Sequence, residues 1–190
     1  MNPIRSLNIP VILGTSRKGR ASVHAARLLA ELLNGRAGVT SQVVDIATLP
    51  LPTDDAGEAI KNPAFSATIT AADGLVIVAP EYNHSFPGLL KHVLDTNLKE
   101  YIHKAVGVCG VSAGPFGGAR MIQSLLPVLR ELGMVTIFWD VYFGNAGKLF
   151  DPATGNINDA AYVRRVKKFV DELVWMSRVL LFGREQITSP

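Results

Sequence analysis

Three short segments of this chain concentrate the residues that could handle a charged or flat ligand. The first is Gly14-Thr-Ser-Arg-Lys-Gly-Arg-Ala-Ser22. Hydroxyls at Thr15, Ser16 and Ser22, cations at Arg17 and Arg20, and the free amides of a helix start can converge on one anion. A phosphate monoester, which carries nearly two negative charges, matches that set of donors. A Walker loop does not fit: Gly14 and Gly19 have its spacing, but Arg20-Ala21 stands where Lys-Ser/Thr is required. The Gly-x-Gly-x-x-Gly dinucleotide fingerprint does not fit either. An ordinary helix start with solvated arginines would use the same residues, so this loop alone leaves both readings open.

The second segment is Pro80-Glu-Tyr-Asn-His-Ser-Phe-Pro-Gly88. A polar cluster between prolines makes a stiff turn that presents backbone amides and Asn83 outward, a suitable edge for a flat heterocycle. Tyr82 could equally pack as a structural side chain. His84 has no Asp or Ser partner at useful spacing for catalysis. The third segment is Ser112-Ala-Gly-Pro-Phe-Gly-Gly118, where Gly114, Gly117 and Gly118 let backbone approach a ligand closely. A tight strand-to-helix turn needs glycine as well.

What is missing from the sequence matters as much. There is no nucleophile–base pair, and no His/Cys/Asp cluster has metal-ligand spacing. Cys109 is the only cysteine, and Pro115 occupies the place where a Cys-x5-Arg phosphatase needs its arginine. An anion cradle with amide-rich turns and no catalytic side chain or metal implies that a bound cofactor carries the chemistry.

The elements that must position these segments are legible from periodicity. Apolar runs rich in Val and Ile predict strands at Leu7–Leu13, Val39–Ile46, Gly74–Ala79, Ala105–Val111 and Met134–Phe138. Helical periodicity predicts helices at Ala21–Leu33, Ala64–Ala72, Gly88–Asp95, Gly118–Leu132 and Asp159–Phe182. Strict alternation implies a parallel sheet with helices on both faces. Ligands of such sheets bind beyond the carboxyl ends of the strands, where all three segments fall.

Composition narrows the class. The 190 residues suit one domain spanning 1–190, and 48% apolar with 18% charged residues exclude a disordered chain. The net charge is only +3 and no Lys/Arg run exceeds two residues, so nucleic acid is not expected as a partner. A single cysteine and no secretory pattern suggest a reducing, cytoplasmic setting. No apolar run reaches the roughly 20 residues that span a bilayer. The nearest, Leu173–Phe182, is interrupted by Ser177-Arg178.

Taken together, Gly14-Thr-Ser-Arg17, Pro80–Lys91 and Ser112–Gly118 resemble the NAD(P)H-dependent FMN reductase family, which includes azobenzene, quinone and chromate reductases. The resemblance runs from Ile9 to Gly133, and Pro80-Glu-Tyr-Asn83 is its most specific part. It implies a flavodoxin-like three-layer α/β sandwich with a five-stranded parallel sheet of order 2-1-3-4-5. It also implies non-covalent FMN, NADPH or NADH as electron donor, and a small acceptor such as free flavin, a quinone, an azo compound or a metal oxyanion. By similarity Thr15, Ser16, Arg17, Arg20 and Ser22 would hold the phosphate. Pro80, Glu81, Tyr82, Asn83 and Ser85 would line the ring, and Ser112, Gly114 and Gly117 would meet its far edge. The resemblance further implies a homodimer or homotetramer, with FMN near the interface and the segment Phe86–Asp95 contributing to it.

Two residues depart from the family pattern. Thr15 stands where Ser is usual, and His92 replaces the usual Asn after Leu90-Lys91. The apolar tail Leu173–Phe182 is not explained by the family and reads either as a core-covering helix or as an oligomer contact. Acceptor choice would rest on the loops Ala47–Pro63 and Trp139–Asn158. Two other classes compete with a reductase: a flavodoxin-type electron carrier and a flavin-dependent redox-sensing protein. Electron carriers tend to be strongly acidic, which +3 is not.

Overall fold

The computed structural model describes residues 5–52, 61–157 and 159–187. Its first strand consists of β1 (Leu7–Asn8) and β2 (Val11–Leu13), and its second of β3 (Val39–Thr40) and β4 (Val43–Asp45). The two run parallel in one continuous register, from Leu7 opposite Val39 to Leu13 opposite Asp45. The break in the first strand has a chemical cause. Pro10 has no N–H to donate, and the Asn8 amide goes to the Asp73 carboxylate at 2.9 Å instead of a neighbouring strand.

β5 (Gly74–Pro80) lies on the other side of β2 and pairs along its whole length with β6 (Ala105–Val111). The fifth position is shared by β7 (Val135–Thr136), beside the start of β6, and β8 (Val141–Phe143), beside its end. The strand expected at Met134–Phe138 is therefore corrected. It leaves the ladder after Thr136, Phe138 and Trp139 turn outward, and pairing resumes at Val141. With divided strands joined, the order is the flavodoxin-like 2-1-3-4-5.

The helices are α1 (Ser22–Asn34), α2 (Pro63–Ala71), α3 (Gly88–Asp95), α4 (Ala119–Glu131), the short α5 (Ala146–Leu149) and α6 (Ala160–Gln186). Side chains alternate across a strand, so each central strand feeds two cores. Val76 and Val78 pack with α1 and α6, whereas Leu75, Ile77 and Ala79 pack with α2, α3 and α4. Close approach of α6 to the sheet depends on small residues. A Cβ on Gly74 would sit 2.2 Å from Ser177 Oγ, and one on Gly107 would sit 2.3 Å from the Phe169 ring.

Helix starts are capped where the sequence supplies a cap. Asn62 Oδ1 accepts from Phe65 N at 3.0 Å, and Asp159 Oδ1 accepts from Ala161 N at 2.8 Å. α6 extends past the expected Phe182 to Gln186. It both covers the core, through Phe169, Val170 and Leu173, and exposes Trp175, Val179 and Phe182 on its outer side. Among the described residues no helix is long and apolar enough to cross a membrane. At the end of the sheet where β5 and β6 begin, buried Lys104 donates to the Ile69 and Thr70 carbonyls, which end α2.

Candidate functional site

The loops that leave β2, β5, β6 and β8 meet at the carboxyl edge of the sheet, the place where ligands of open α/β sheets bind. The first two are joined directly. Buried Thr15 places Oγ1 3.0 Å from the Tyr82 hydroxyl and accepts from the Arg17 amide at 3.3 Å. The Arg17 guanidinium lies over the Tyr82 ring, 4.5 Å from its centroid. A cation of the first segment is thus held above an aromatic of the second.

Like α3 and α4, and unlike α2 and α6, α1 begins with no side-chain cap. Ser22, its first residue, is buried, and its Oγ has no hydrogen-bond partner among the described residues. Buried polar groups in native proteins are almost always paired. Of the first amides of α1, Val23 N and His24 N already close onto the Arg20 and Ala21 carbonyls at 3.4 and 3.1 Å, so the lone buried Ser22 hydroxyl is the feature of this helix start that suits an anion. Arg20 is placed differently from the sequence expectation of a free cation. It is ion-paired with Asp45 at the end of β4, so its charge is already partly answered. Ser16 faces solvent at the mouth of the loop.

The second loop is a two-residue hairpin. Tyr82 and Ser85 exchange backbone hydrogen bonds of 2.8 and 3.0 Å, with Asn83 at φ 50° and His84 at φ 66°. Two left-handed residues in succession make a type I′ turn. Asparagine tolerates this conformation, whereas histidine is strained by about 1 kcal/mol. The Ser124 hydroxyl donates to the His84 carbonyl at 3.1 Å and helps hold the turn. Pro80 closes β5, and the Glu81 carboxylate accepts from Arg120 Nε at 2.7 Å. Glu81 Oε2 is buried without a partner among the described residues. Arg120 in turn lies 5.3 Å over the Phe116 ring.

The third loop is fixed by its own serine. Ser112 Oγ donates to the Gly114 carbonyl at 2.7 Å and accepts from the Gly117 amide at 2.9 Å. Its backbone is tied to the segment after β8 by Ala146 N to Ser112 O at 3.0 Å and Asn145 N to Gly114 O at 2.8 Å. The glycines divide by role. A Cβ on Gly117 would lie 2.7 Å from Tyr142, and one on Gly118 2.9 Å from Gly110, so packing demands both. Of the three, Gly114 is the one where a Cβ would meet nothing within 4 Å among the described residues. Gly114 is the glycine of this loop that faces open space.

Several neighbours were not legible from the sequence: Asp45, Arg120, and the Tyr142–Asn145 segment that buttresses the third loop. His24, Phe150 and Pro152 were missed as well. With Arg17, Lys18 and Arg20 they line an open cleft of ≈ 430 Å³ beside the first loop. Asp45 at the carboxyl end of an apolar strand was the one available signal. Burial of Cys109 pushes its thiol well above the usual range and leaves it inert. No group of metal-binding side chains occurs among the described residues.

A family model described as NADPH-dependent FMN reductase matches residues 7–148. The chain belongs to this family. A quinone reductase from Pseudomonas putida is 32% identical over 162 residues, covering 80% of this chain and 85% of its own. A 2-hydroxy-1,4-benzoquinone reductase from a Burkholderia species is 31% identical over 175 residues, covering 88% and 94%. Among solved structures, the flavoenzyme NAD(P)H:(acceptor) oxidoreductase FerB from Paracoccus denitrificans matches with a TM-score of 0.77 and 25% identity, covering 91% of this chain and 98% of that one.

As an FMN reductase family member the chain is an NAD(P)H-dependent oxidoreductase with FMN as its cofactor. The residues present fit that group. The unpartnered Ser22 hydroxyl and uncapped α1 suit its phosphate, and the hairpin at Tyr82 with open Gly114 suits a flat ring.

Proposed function

We propose that this FMN reductase family member passes hydride from NAD(P)H to a small acceptor of the quinone or azo class. The observation that carries the reading is the join between the anion loop and the ring loop, through Thr15 to Tyr82 and Arg17 over the Tyr82 ring. One ligand bearing both a phosphate and a flat ring would satisfy both loops at once. Bound FMN supplies the hydride-accepting and hydride-donating chemistry.

The chain's own residues do the rest. Arg17 and the hydroxyl and amide of Ser22 bind the phosphate, with Arg20 beside them under the restraint of Asp45. The Thr15 hydroxyl is already engaged, so it orients the loop as much as it binds. The Asn83 and His84 amides, with the Asn83 side chain, meet the ring edge, because those of Glu81, Tyr82 and Ser85 are engaged in backbone bonds. Ser112 spends its hydroxyl on holding the third loop open at Gly114, and packed Gly117 keeps that loop seated on β8. No side chain in these loops is set up as an acid–base pair: Glu81 is held by Arg120, and His84 sits exposed on its turn. Assembly as a dimer or tetramer that closes over this edge, with Phe86–Asp95 contributing, belongs to the same proposal. Residues 53–60 of the acceptor-side loop Ala47–Pro63 lie outside the described residues.

The test is anaerobic mixing of the purified flavin-loaded protein with NADPH and with NADH, followed by a quinone or an azo dye. Bleaching of the visible flavin absorption by a nicotinamide, and its recovery on adding the acceptor, is the expected result. If neither nicotinamide bleaches the flavin, the chain is an electron carrier or a redox sensor. In Arg17→Ala, FMN retention is expected to fall. Undiminished retention would remove Arg17 from the phosphate site.

A further inference from the structure

The outer face of α6 joins an apolar stripe to a run of cations, and the flavin site uses neither. Trp175 is 58% exposed, Val179 44% and Phe182 59%, at spacings that place them on one stripe. Phe138, 80% exposed, and Trp139 continue the patch at the sheet edge, packed edge-on against each other. Arg164 and Lys168, about three and two turns before Trp175, carry the same stripe toward the start of the helix. Exposed Arg165 and Lys167 flank it, and the Lys168 ammonium lies 5.7 Å from the Trp139 ring centroid. None of these four cations forms an ion pair among the described residues. They outnumber the net charge of the whole chain, +3. Of the acids on this face, Asp171 is already paired with Arg36, and Glu172 is half-buried. The patch lies on the α1–α6 face of the sheet, away from the α2–α3–α4 face to which Phe86–Asp95 belongs.

We propose that this face docks on the surface of an anionic lipid bilayer. The helix α6 would lie in the plane of the interface, with its aromatic side chains among the headgroups and its cations against the lipid phosphates. Three arguments select that occupant. The first is charge: four unpaired cations in five residues complement a negative surface and repel a second copy of the same stripe. The second is residue type. Both tryptophans of the chain sit in this patch, and a ring with an apolar body and one N–H settles at headgroup level. The third is shape. Phe138, Trp175 and Phe182 project with more than half of their surface free. A bilayer yields around projecting side chains, whereas a protein partner needs matching pockets for them and a nucleic acid has no use for five apolar groups. This is adsorption and not insertion, in keeping with the lack of a spanning helix among the described residues. The inference rests on the α6 face and stands whatever the electron acceptor is.

The flavin-loaded full chain is sedimented with phosphatidylcholine vesicles containing about one quarter phosphatidylglycerol, and with vesicles of phosphatidylcholine alone, in about 0.1 M salt. The wild type is expected to pellet with the anionic vesicles and to stay in solution with the neutral ones. Its tryptophan emission, which comes from this patch alone, is expected to shift to shorter wavelength and to resist acrylamide. Arg164→Gln combined with Lys168→Gln should lower the partition coefficient roughly 25-fold, about 5-fold per cation. Trp175→Ser should lower it about tenfold. All three residues are exposed, so circular dichroism, flavin content and the mass without vesicles should stay unchanged. A wild type that ignores the anionic vesicles, or pellets equally with the neutral ones, overturns the proposal. So does undiminished binding by either variant. A variant that loses mass together with binding shows a second copy of the chain on the patch and overturns it as well. Should Trp175→Ser misfold, the wild type decides: emission unchanged by anionic vesicles means that the tryptophans do not meet lipid, and the proposal falls.

Discussion

Replacing Ser22 with alanine should act in opposite directions on the protein without and with FMN. In the empty protein the Ser22 hydroxyl is buried and unpartnered among the described residues, at the first position of a helix without a side-chain cap. A buried hydroxyl left unsatisfied costs about 1–3 kcal/mol, and alanine is the better helix former by roughly 0.5 kcal/mol. Part of this gain is lost to the small void left behind, so a net stabilisation of about 1 kcal/mol is expected. For a chain of this size that corresponds to a rise of roughly 2–4 °C in Tm. Under the proposed assignment, the same hydroxyl would donate in the loaded protein to a charged phosphate oxygen, a bond worth about 1.5–3 kcal/mol. FMN affinity should therefore fall by roughly 10- to 100-fold. The assay is paired thermal melts of stripped and FMN-saturated protein, with a fluorescence titration of FMN into the stripped form. A lower Tm for the stripped variant, or an unchanged Kd, would refute the assignment of Ser22 as a phosphate donor.

Three further outcomes follow from the geometry. Tyr82→Phe removes the 3.0 Å bond to Thr15 but keeps the ring under Arg17, so FMN should dissociate several-fold faster for a loss of about 1 kcal/mol. An unchanged stopped-flow off-rate would mean that the two loops act independently. Gly110→Ala sets a Cβ 2.3 Å from the Gly117 carbonyl oxygen, between backbone segments that cannot give way, and should cost more than about 3 kcal/mol and disorder the third loop. A wild-type melting curve would show that β6 and the loop do not pack as described. Lys104 is buried beside Arg184, and burial lowers its amine from 10.5 to about 8. Between these two values the unfolded chain binds the proton that the folded chain has lost, so stability should rise with pH from 8 to 10.5 and flatten outside that window. Urea unfolding at pH 8, 9 and 10 should show this rise, and Lys104→Met should lose it. Equal slopes in both proteins would remove Lys104 as the cause.

Local chemistry made much of this protein legible in one dimension. Val and Ile runs marked the strands, alternation marked a parallel sheet, and the position of three loops after strands marked the edge of the sheet at which they meet. The Thr15 and Arg17 loop and the Pro80–Asn83 segment were readable because donors, prolines and glycines act on their immediate neighbours. The limits of that reading have a common cause. A sequence states which residue is present, but not which distant residue meets it. Three glycines in one loop looked equivalent, yet Tyr142 and Gly110 demand two of them by contact and leave only Gly114 open. Arg20 reads in the sequence as a cation for the phosphate, and only the register of β4 beside β2 showed that Asp45 also meets it. The last strand could not be traced by apolar pattern because Phe138 and Trp139, the most apolar part of it, leave the sheet for the surface. For the apolar tail, the sequence offered a core-covering helix or an oligomer contact as alternatives. Only the packing of α6 showed that one helix buries Phe169 and Leu173 while presenting Trp175 and Phe182 outward, because a helix has two sides and the sheet can cover just one.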